Sequence, residues 1–324
     1  MHHFGELLEK VEKALAAINF KLSPAGLYEP ISYTLTPGGK RMRPVMMLMA
    51  CELFGGDIEK AINPALGIEI FHNFTLLHDD IMDKAPLRRG KETVYQKWDT
   101  NTAILSGDTM FAFALDCLIE TDTLLIPEIL RTFSITARQV CEGQQYDMEF
   151  ETAEKVTIAD YLMMIRLKTA VLPAASFKIG AIIAGAEPQD AENIYRFGEN
   201  IGLAFQLKDD LLDVFGNEAT FGKHCGGDIT SNKKTFLYLK AFELATGNDR
   251  LTLQHYFGGT DFNEEIKYRE VKRIYENLKI KDLAEKEMDK YYHQSLVNLD
   301  AIAVEEGKKA ELKQFAQQLM KRES

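Results

Sequence analysis

The chain has 324 residues, 46% of them hydrophobic, and carries a formal net charge of −11. This composition excludes an intrinsically disordered chain and allows a large buried core. The acidic balance argues against a nucleic-acid partner, because proteins that bind the phosphate backbone usually present a basic patch.

The N-terminal stretch MHHFGELLEKVEKAL predicts an amphipathic, acidic helix and lacks the apolar core of a signal peptide. Apolar residues then recur at spacings of three and four, whereas period-two alternation is scarce. Short segments with glycine, proline or capping residues separate these stretches, and none is a long linker. The prediction is an all-α fold, a single domain over residues 1–324 built as a bundle of about ten or more helices.

The cysteines and the most apolar stretch predict a cytoplasmic protein with no stable membrane insertion. Residues 169–186 contain Pro173 and Lys178, which favours a buried core helix over a membrane span. No CxxC pair occurs, which favours free, buried thiols in a reducing compartment over disulfides or zinc. The cysteines concerned are Cys51, Cys117, Cys141 and Cys225.

Two stretches place aspartates inside apolar helix, LLHDDIMDKAPLRRG at 76–90 and FQLKDDLLDVFG at 205–216. Residues four apart share a helix face, so each stretch gathers carboxylates that repel one another. Hard oxygen ligands suit Mg²⁺, which bridges carboxylate and phosphate. A solvated helix end or a capping cluster would explain one such motif, but two copies favour metal binding. The acids are Asp79, Asp80 and Asp83 in the first motif and Asp209, Asp210 and Asp213 in the second.

Two groups of basic residues support this interpretation, one well before the first acidic motif and one immediately after it. GGKRMRP places Lys40, Arg41 and Arg43 after a glycine turn, where a chain can present them to a phosphate, and RRG supplies Arg88 and Arg89. If the acidic motifs face each other across a cavity, they can hold a diphosphate through about three Mg²⁺ ions. A glycine turn alone would be a simple break between helices, but its combination with the acids predicts diphosphate chemistry.

Seven segments in chain order resemble the trans-isoprenyl diphosphate synthase (polyprenyl synthetase) family: GGKRMRP, LLHDDIMDKAPLRRG, GDTMFAFA, GQQYD, RLKTAVL, FQLKDDLLDVFG and FGKHCGGDITSNKKT. The resemblance spans residues 38–235. It implies the isoprenoid synthase fold around a central cavity and condensation of isopentenyl diphosphate with an allylic diphosphate. It also implies a homodimer formed through helices around GDTMFAFALDCL.

The resemblance assigns roles by motif position. Asp79 and Asp83 would hold two Mg²⁺ ions and Asp209 the third, with Asp80, Asp210 and Asp213 in support. Lys233 would close the site, although NKKT offers Lys234 as well. Thr169 and Gln206 would face the carbocation as neutral dipoles, together with the Lys168 carbonyl. Arg88, Lys168 and Lys223 match the allylic diphosphate site, and Lys40, Arg43, His72 and Arg89 match the isopentenyl diphosphate pocket.

Product length and two rival functions stay open at this point. In the family, the positions four and five before the first aspartate form the cavity floor, and here they are Thr75 and Phe74, with Phe71 deeper. The alternative is that both phenylalanines are ordinary core residues. The floor predicts geranylgeranyl diphosphate first, farnesyl diphosphate second and longer chains last. A class I terpene cyclase has no second diphosphate to bind, and a non-catalytic subunit should have lost acids from one motif.

Overall fold

The computed structural model describes residues 2–36, 39–216, 226–259 and 262–321. These residues form two compact units. Unit 1 comprises Met1–Ile135, Ala175–Ile194 and Ala303–Glu311, and unit 2 comprises Thr136–Ala174, Tyr195–Ile302 and Leu312–Ser324. Each acidic motif lies within one unit, the first motif in unit 1 and the second in unit 2.

Helices make up almost all regular structure in the described ranges. The helices of the first half are α1 Phe4–Ala17, α2 Ala25–Leu35, α3 Met42–Leu53, α4 Ile62–Met82, α5 Val94–Lys97, α6 Thr100–Ile119 and α7 Ile126–Thr152. Those of the second half are α8 Ile158–Ile165, α9 Val171–Ile183, α10 Pro188–Phe215, α11 Gly227–Thr230, α12 Phe236–Leu244, α13 Gly247–Phe257, α14 Glu264–Asn277, α15 Ile280–Asp300 and α16 Glu306–Lys321. A 3₁₀ turn at Ile58–Ala61 precedes α4, and a π-helical turn at Arg166–Ala170 joins α8 to α9.

Capping residues explain where several helices begin. Asp99 precedes α6 and accepts a hydrogen bond from the Thr102 backbone N–H. Thr157 precedes α8 and forms a reciprocal capping box with Asp160. These polar side chains satisfy backbone N–H groups that a helix N-terminus leaves without partners.

Unit 1 is built around close packing of α4 on α6. An added Cβ on Gly67 would lie 2.7 Å from the Ala114 carbonyl oxygen, so glycine allows the two backbones to approach. The buried face of α4 includes Ile68, Phe71 and Leu77, and the helix ends at the first acidic motif. Packing of α4 therefore fixes where these aspartates emerge.

Unit 2 has its own core, formed by residues of α8, α10 and the later helices. Tyr161, Phe236 and Tyr275 are among its fully or nearly buried aromatic side chains. Leu207 and Leu211 of α10 lie in the same core, which leaves the aspartates of the second motif on and beside the buried face of that helix.

The all-α prediction is confirmed, with one small exception in the described ranges. Two-residue strands β1 Leu87–Arg88 and β2 Lys91–Glu92 form an antiparallel hairpin, pairing Leu87 with Glu92 and Arg88 with Lys91. Arg89 and Gly90 between them have φ of 53° and 75°. Two-residue hairpin loops favour a turn in which both central residues have positive φ, because the twist of that turn matches the twist of the two strands.

Three cysteines fall in the described ranges and all are free. Cys51 and Cys117 are buried, and burial raises their thiol pKa values to about 11 and about 12. The prediction of burial is wrong for Cys141, which lies on the outer side of α7 and is exposed. Cys225 lies outside the described residues.

By length and composition alone, α6 is long and apolar enough to cross a membrane, and part of it is buried inside the protein. Its buried residues include Ala103, Gly107 and Met110. The residues 169–186 show no such span, and α9 within them is largely buried.

Candidate active site

The first acidic motif occupies the C-terminal end of α4, and the hairpin that follows returns a cation to it. Arg88 Nε donates to Asp80 Oδ1 at 2.7 Å, and Arg88 Nη2 lies 3.7 Å from Asp79 Oδ2. Asp83 caps the helix C-terminus and is exposed. The structure therefore brings Asp79, Asp80 and Arg88 together, with Asp80 buried and Asp79 partly open.

A second group of cations gathers beside this motif around His72. Burial and the nearby guanidinium groups of Arg43 and Arg89 hold the pKa of His72 well below its usual value, so its imidazole is neutral. The Nε of Arg43 is buried without a hydrogen-bond partner in the part of the chain that the structure describes. Gly39 packs on the Arg89 guanidinium, since an added Cβ would lie 2.9 Å from Arg89 Nη1. An unsatisfied buried donor among positive charges suits an anionic ligand.

The expectation that Arg41 presents its charge to a phosphate is wrong. Arg41 is buried and donates to Glu69 Oε1 at 2.7 Å and to the Leu35 carbonyl at 2.6 Å. Asn73 Nδ2 donates to the same Glu69 carboxylate at 3.0 Å. This ion pair fixes the end of α2 against α4, while Lys40 next to it is exposed.

Burial of Asp80 predicts a pH-dependent stability in metal-free protein. Desolvation outweighs the attraction of Arg88 and raises the pKa of Asp80 from 3.8 to about 6. A raised folded-state pKa contributes stability that is present below 3.8 and is lost as pH rises through about 6. In EDTA, wild-type protein should therefore lose stability between pH 4 and pH 7, whereas Asp80→Asn lacks the titrating carboxyl group. The difference in melting temperature, Asp80→Asn minus wild type, should rise over this pH range. Thermal scans at several pH values measure it, and a constant difference would contradict it.

The second acidic motif lies near the C-terminal end of α10, where two side chains hold Asp210. Tyr161 of α8 donates its hydroxyl to Asp210 Oδ2, and Gln206 Nε2 donates to Asp210 Oδ1 at 3.1 Å. The Asp228 backbone N–H donates to Asp213 Oδ2 at 2.9 Å. Burial raises the pKa values of Asp210 and Asp228. The sequence did not single out Tyr161 or Asp228.

The π-helical turn carries the side chains predicted to face the reacting carbon. Lys168 Nζ donates to Asp147 Oδ2 at 2.5 Å, and Thr169 Oγ1 donates to Gln206 Oε1 at 3.2 Å. Gly143 of α7 lies against this turn, since an added Cβ would come within 2.2 Å of the Lys168 backbone nitrogen. The glycine and aspartate of GQQYD thus position Lys168, a role that the sequence left unassigned.

The structure distinguishes the two lysines that the sequence left open. Lys234 Nζ donates to the carbonyls of Phe150, Glu151 and Ala153 at 2.7, 3.2 and 2.6 Å, at and just after the C-terminus of α7. Lys233 Nζ instead lies 3.9 Å from Asp228 Oδ1, on the side of the second motif. Lys233 therefore lies beside the second motif, whereas Lys234 is bonded to the end of α7. Lys223 lies outside the described residues.

Four phenylalanine rings pack below the first acidic motif in unit 1. Phe71 is fully buried and its ring centroid lies 5.5 Å from Phe74 and 5.0 Å from Phe133. Phe111 of α6 lies 5.5 Å from Phe74. Thr75 donates its hydroxyl to the His72 carbonyl at 2.8 Å. Of the predicted floor residues, Phe71 and Phe74 are therefore part of a larger aromatic cluster, and the sequence analysis did not single out its other members, Phe111 and Phe133.

Comparison with known proteins identifies the family. A sequence profile of the polyprenyl synthetase family matches residues 24–278. The chain belongs to the polyprenyl synthetase family. It is 41% identical over 222 residues to the geranylgeranyl diphosphate synthase of Methanosarcina mazei, and the match covers 68% of each chain. It is 39% identical over 298 residues to the geranylgeranyl pyrophosphate synthase of Geoglobus acetivorans, which covers 91% of this chain and 89% of that one.

Solved structures of polyprenyl synthetases share the fold. A crystal structure of a geranylgeranyl pyrophosphate synthase superposes with a TM-score of 0.93 at 43% identity and covers 100% of both chains. The family, the isoprenoid synthase fold and the enzyme class, a prenyltransferase, are confirmed as the sequence predicted them.

The acids of this polyprenyl synthetase suit Mg²⁺ by their chemistry. They are carboxylates, the hard oxygen ligands that Mg²⁺ prefers. In the described ranges no group of three or more histidine, cysteine or acidic side chains is arranged so that it could hold a metal ion by itself. Open carboxylate sets fit an ion that is usually held by one or two carboxylates and completes its coordination with substrate phosphates and water.

Proposed function

We propose that this polyprenyl synthetase condenses isopentenyl diphosphate with allylic diphosphates of five to fifteen carbons, and that its main product is geranylgeranyl diphosphate. Support comes from two complete acidic motifs, each beside a lysine or arginine, together with the relatives that carry this product in their names. The single observation that carries the proposal is the coexistence of Asp79 beside Arg88 and Asp210 beside Gln206 in one chain. We further propose that the two units form one domain.

The proposed mechanism is ionisation, condensation and elimination. The allylic carbon–oxygen bond breaks, its electron pair leaves with the diphosphate, and the isopentenyl double bond attacks the resulting carbocation. A proton is then lost from carbon 2 of the isopentenyl unit to the departed pyrophosphate. When bound, about three Mg²⁺ ions would stabilise the leaving diphosphate. No protein nucleophile is required.

The chain's own residues would bind and orient the reactants. Asp79, Asp83 and Asp209 would hold the metal, supported by the neighbouring acids. Arg88 and Lys168 would contact the allylic diphosphate. Thr169 and Gln206, which already share a hydrogen bond, offer neutral oxygens that stabilise a cation without trapping it.

The aromatic cluster would set the product length. Replacing Phe74 with alanine should lengthen the main product by at least one five-carbon unit, because it removes a ring that packs on Phe71 and Phe111. Adding Phe71→Ala should lengthen it further, with activity retained. Chromatography of the products measures the change, and an unchanged distribution in the double variant would place the floor on another helix.

The cation group around His72 would hold isopentenyl diphosphate, which needs no metal of its own. Arg43→Met should raise the KM for isopentenyl diphosphate by about tenfold or more and leave the KM of the allylic primer within about twofold, since one charge-assisted contact is lost. Steady-state kinetics with each substrate varied measures both constants. Equal increases in both would contradict the separate pocket.

We also propose a cytoplasmic homodimer that pairs through α6. The exposed apolar side chains on this helix support it: Ile104, Leu105 and Ile119 are 40%, 59% and 43% exposed. Burying such side chains against a second copy would be favourable. Light scattering of the purified protein tests the mass, and a monomer would overturn this part.

The reaction itself is tested by incubating the protein with Mg²⁺, labelled isopentenyl diphosphate and each of the five-, ten- and fifteen-carbon allylic primers. A twenty-carbon diphosphate is expected from all three primers, and EDTA should abolish it. Absence of any condensation product would overturn the proposed reaction, whereas another chain length would change only the product.

A further inference from the structure

A short turn at residues 226–235 adjoins the second acidic motif. It begins at Gly226, whose φ is 93°, contains α11, and includes Asn232 at φ 60°. Asparagine is one of the few residues other than glycine that tolerates this left-handed conformation. The 226–235 turn carries Asp228 and Lys233, so its conformation decides where these two charges lie.

Backbone contacts hold one edge of the turn to α10. The Gly226 N–H donates to the Asp213 carbonyl at 2.6 Å, and the Asp228 N–H donates to the Asp213 carboxylate at 2.9 Å. The Lys233 N–H donates to the Asp228 carbonyl at 2.9 Å. These bonds place the turn beside the second motif but leave its far side to be fixed by other contacts.

The far side is held by Lys267 of α14, a buried lysine outside the motifs that define the family resemblance. Only 4% of this residue is exposed. Its Nζ donates to the Thr230 carbonyl at 3.2 Å and to Asn232 Oδ1, and it lies 5.1 Å from the centroid of the Phe257 ring. Burial of an ammonium group is costly unless it is well bonded, and here the turn supplies the acceptors.

Lys234 restrains the end of the same turn from another direction. Its three carbonyl acceptors lie at the C-terminus of α7, where a helix leaves carbonyl groups without internal partners. The turn is therefore tied to α10, α14 and α7 at separate points.

We propose that Lys267 is a positioning residue for the second acidic motif. Its ammonium group holds the 226–235 turn in the conformation that presents Asp228 and Lys233 beside Asp210 and Asp213. This inference rests on the proposed function, since it takes the ligand of the motif to be a magnesium-bound diphosphate. Groups that orient the residues around a metal without touching it typically change metal affinity or activity by about 10- to 100-fold when removed.

The test uses the full chain with Lys267→Met, which keeps an unbranched apolar side chain but removes the ammonium group, and with Lys267→Arg. Lys281→Met is the surface-charge control, because Lys281 lies on α15, is 53% exposed and pairs with Glu285. Calorimetry measures magnesium-dependent binding of inorganic pyrophosphate. Steady-state kinetics measures the KM of the allylic primer and of isopentenyl diphosphate, and thermal scans measure folding.

In Lys267→Met, pyrophosphate binding should weaken by about 10- to 100-fold and the KM of the allylic primer should rise likewise. The KM of isopentenyl diphosphate should stay within about twofold, and Lys267→Arg should recover part of the loss. Folded Lys267→Met with unchanged pyrophosphate binding would overturn the inference, as would equal increases in both KM values.

Asn232→Gly decides the question if Lys267→Met does not fold. Glycine adopts the positive φ, and the substitution removes the side-chain acceptor of Lys267, so the same selective loss is expected. An Asn232→Gly variant with wild-type pyrophosphate binding would then overturn the inference. Inactive wild-type protein would overturn the proposed function, whereas an active wild type with unaffected variants would overturn this inference alone.

Discussion

Replacing Asp79 or Asp209 with alanine is expected to lower turnover by at least about two orders of magnitude, equivalent to roughly 3 kcal/mol of transition-state stabilisation. In the proposed mechanism each acid binds metal that stabilises the departing diphosphate. The loss should appear in kcat at saturating Mg²⁺ and not only in the apparent affinity for the metal. Steady-state kinetics with both substrates and Mg²⁺ saturating measures it.

Both variants should fold, because Asp79 and Asp209 are partly exposed. Removing one of several neighbouring carboxylates also reduces the electrostatic repulsion among them. Asp289→Ala provides the control, since Asp289 is an exposed aspartate of α15. Near-normal turnover of Asp79→Ala or Asp209→Ala at saturating Mg²⁺ would show that the motif concerned does not hold a catalytic metal.

Lys168→Met is expected to lower kcat by about 100-fold or more, because the ammonium group contacts Asp147 at 2.5 Å and, in the proposed mechanism, the leaving diphosphate. Steady-state kinetics at saturating substrates measures this loss. The charge acts on the group that becomes more negative as the bond breaks, so kcat should fall more than substrate affinity.

Lys178→Met is a matched control for this loss. The side chains of Lys168 and Lys178 are 25% and 24% exposed, and both form an ion pair with an acid, Asp147 and Glu192 respectively. Both variants lose a half-buried ion pair, so a comparable change in melting temperature is expected from each. If Lys178→Met lost as much activity as Lys168→Met, the effect would be one of stability.

Helical periodicity predicted the parts of the site that lie on one helix. The spacing of Asp79 and Asp83, or of Asp209 and Asp213, follows from 3.6 residues per turn and is readable without tertiary structure. The same reasoning could not find Tyr161 behind Asp210, because the two residues are 49 positions apart and meet only through packing of α8 on α10. Phe111 and Phe133 were missed for the same reason.

Local sequence also gave a wrong prediction at one position and no signal at another. Arg41 resembles its neighbours as a cation after a glycine turn, but its positive φ and burial direct it to Glu69. The sequence gives no sign of the hairpin around Arg89, because two-residue strands carry no periodic signal. Its positive φ values show why the chain turns back to place Arg88 at the acids.

The π-helical turn makes the placement of Lys168 and Thr169 depend on how many residues separate α8 from α9. A π turn accommodates one residue more than an α turn, and each residue of an α-helix advances about 100° around the axis. Loss of one residue between 166 and 170 would let the segment continue as regular α-helix while turning these side chains by about that angle. The direction in which Lys168 and Thr169 point thus depends on the number of residues in this turn as well as on their identity. A single-residue deletion there should leave the helices folded but move these two side chains away from their proposed roles.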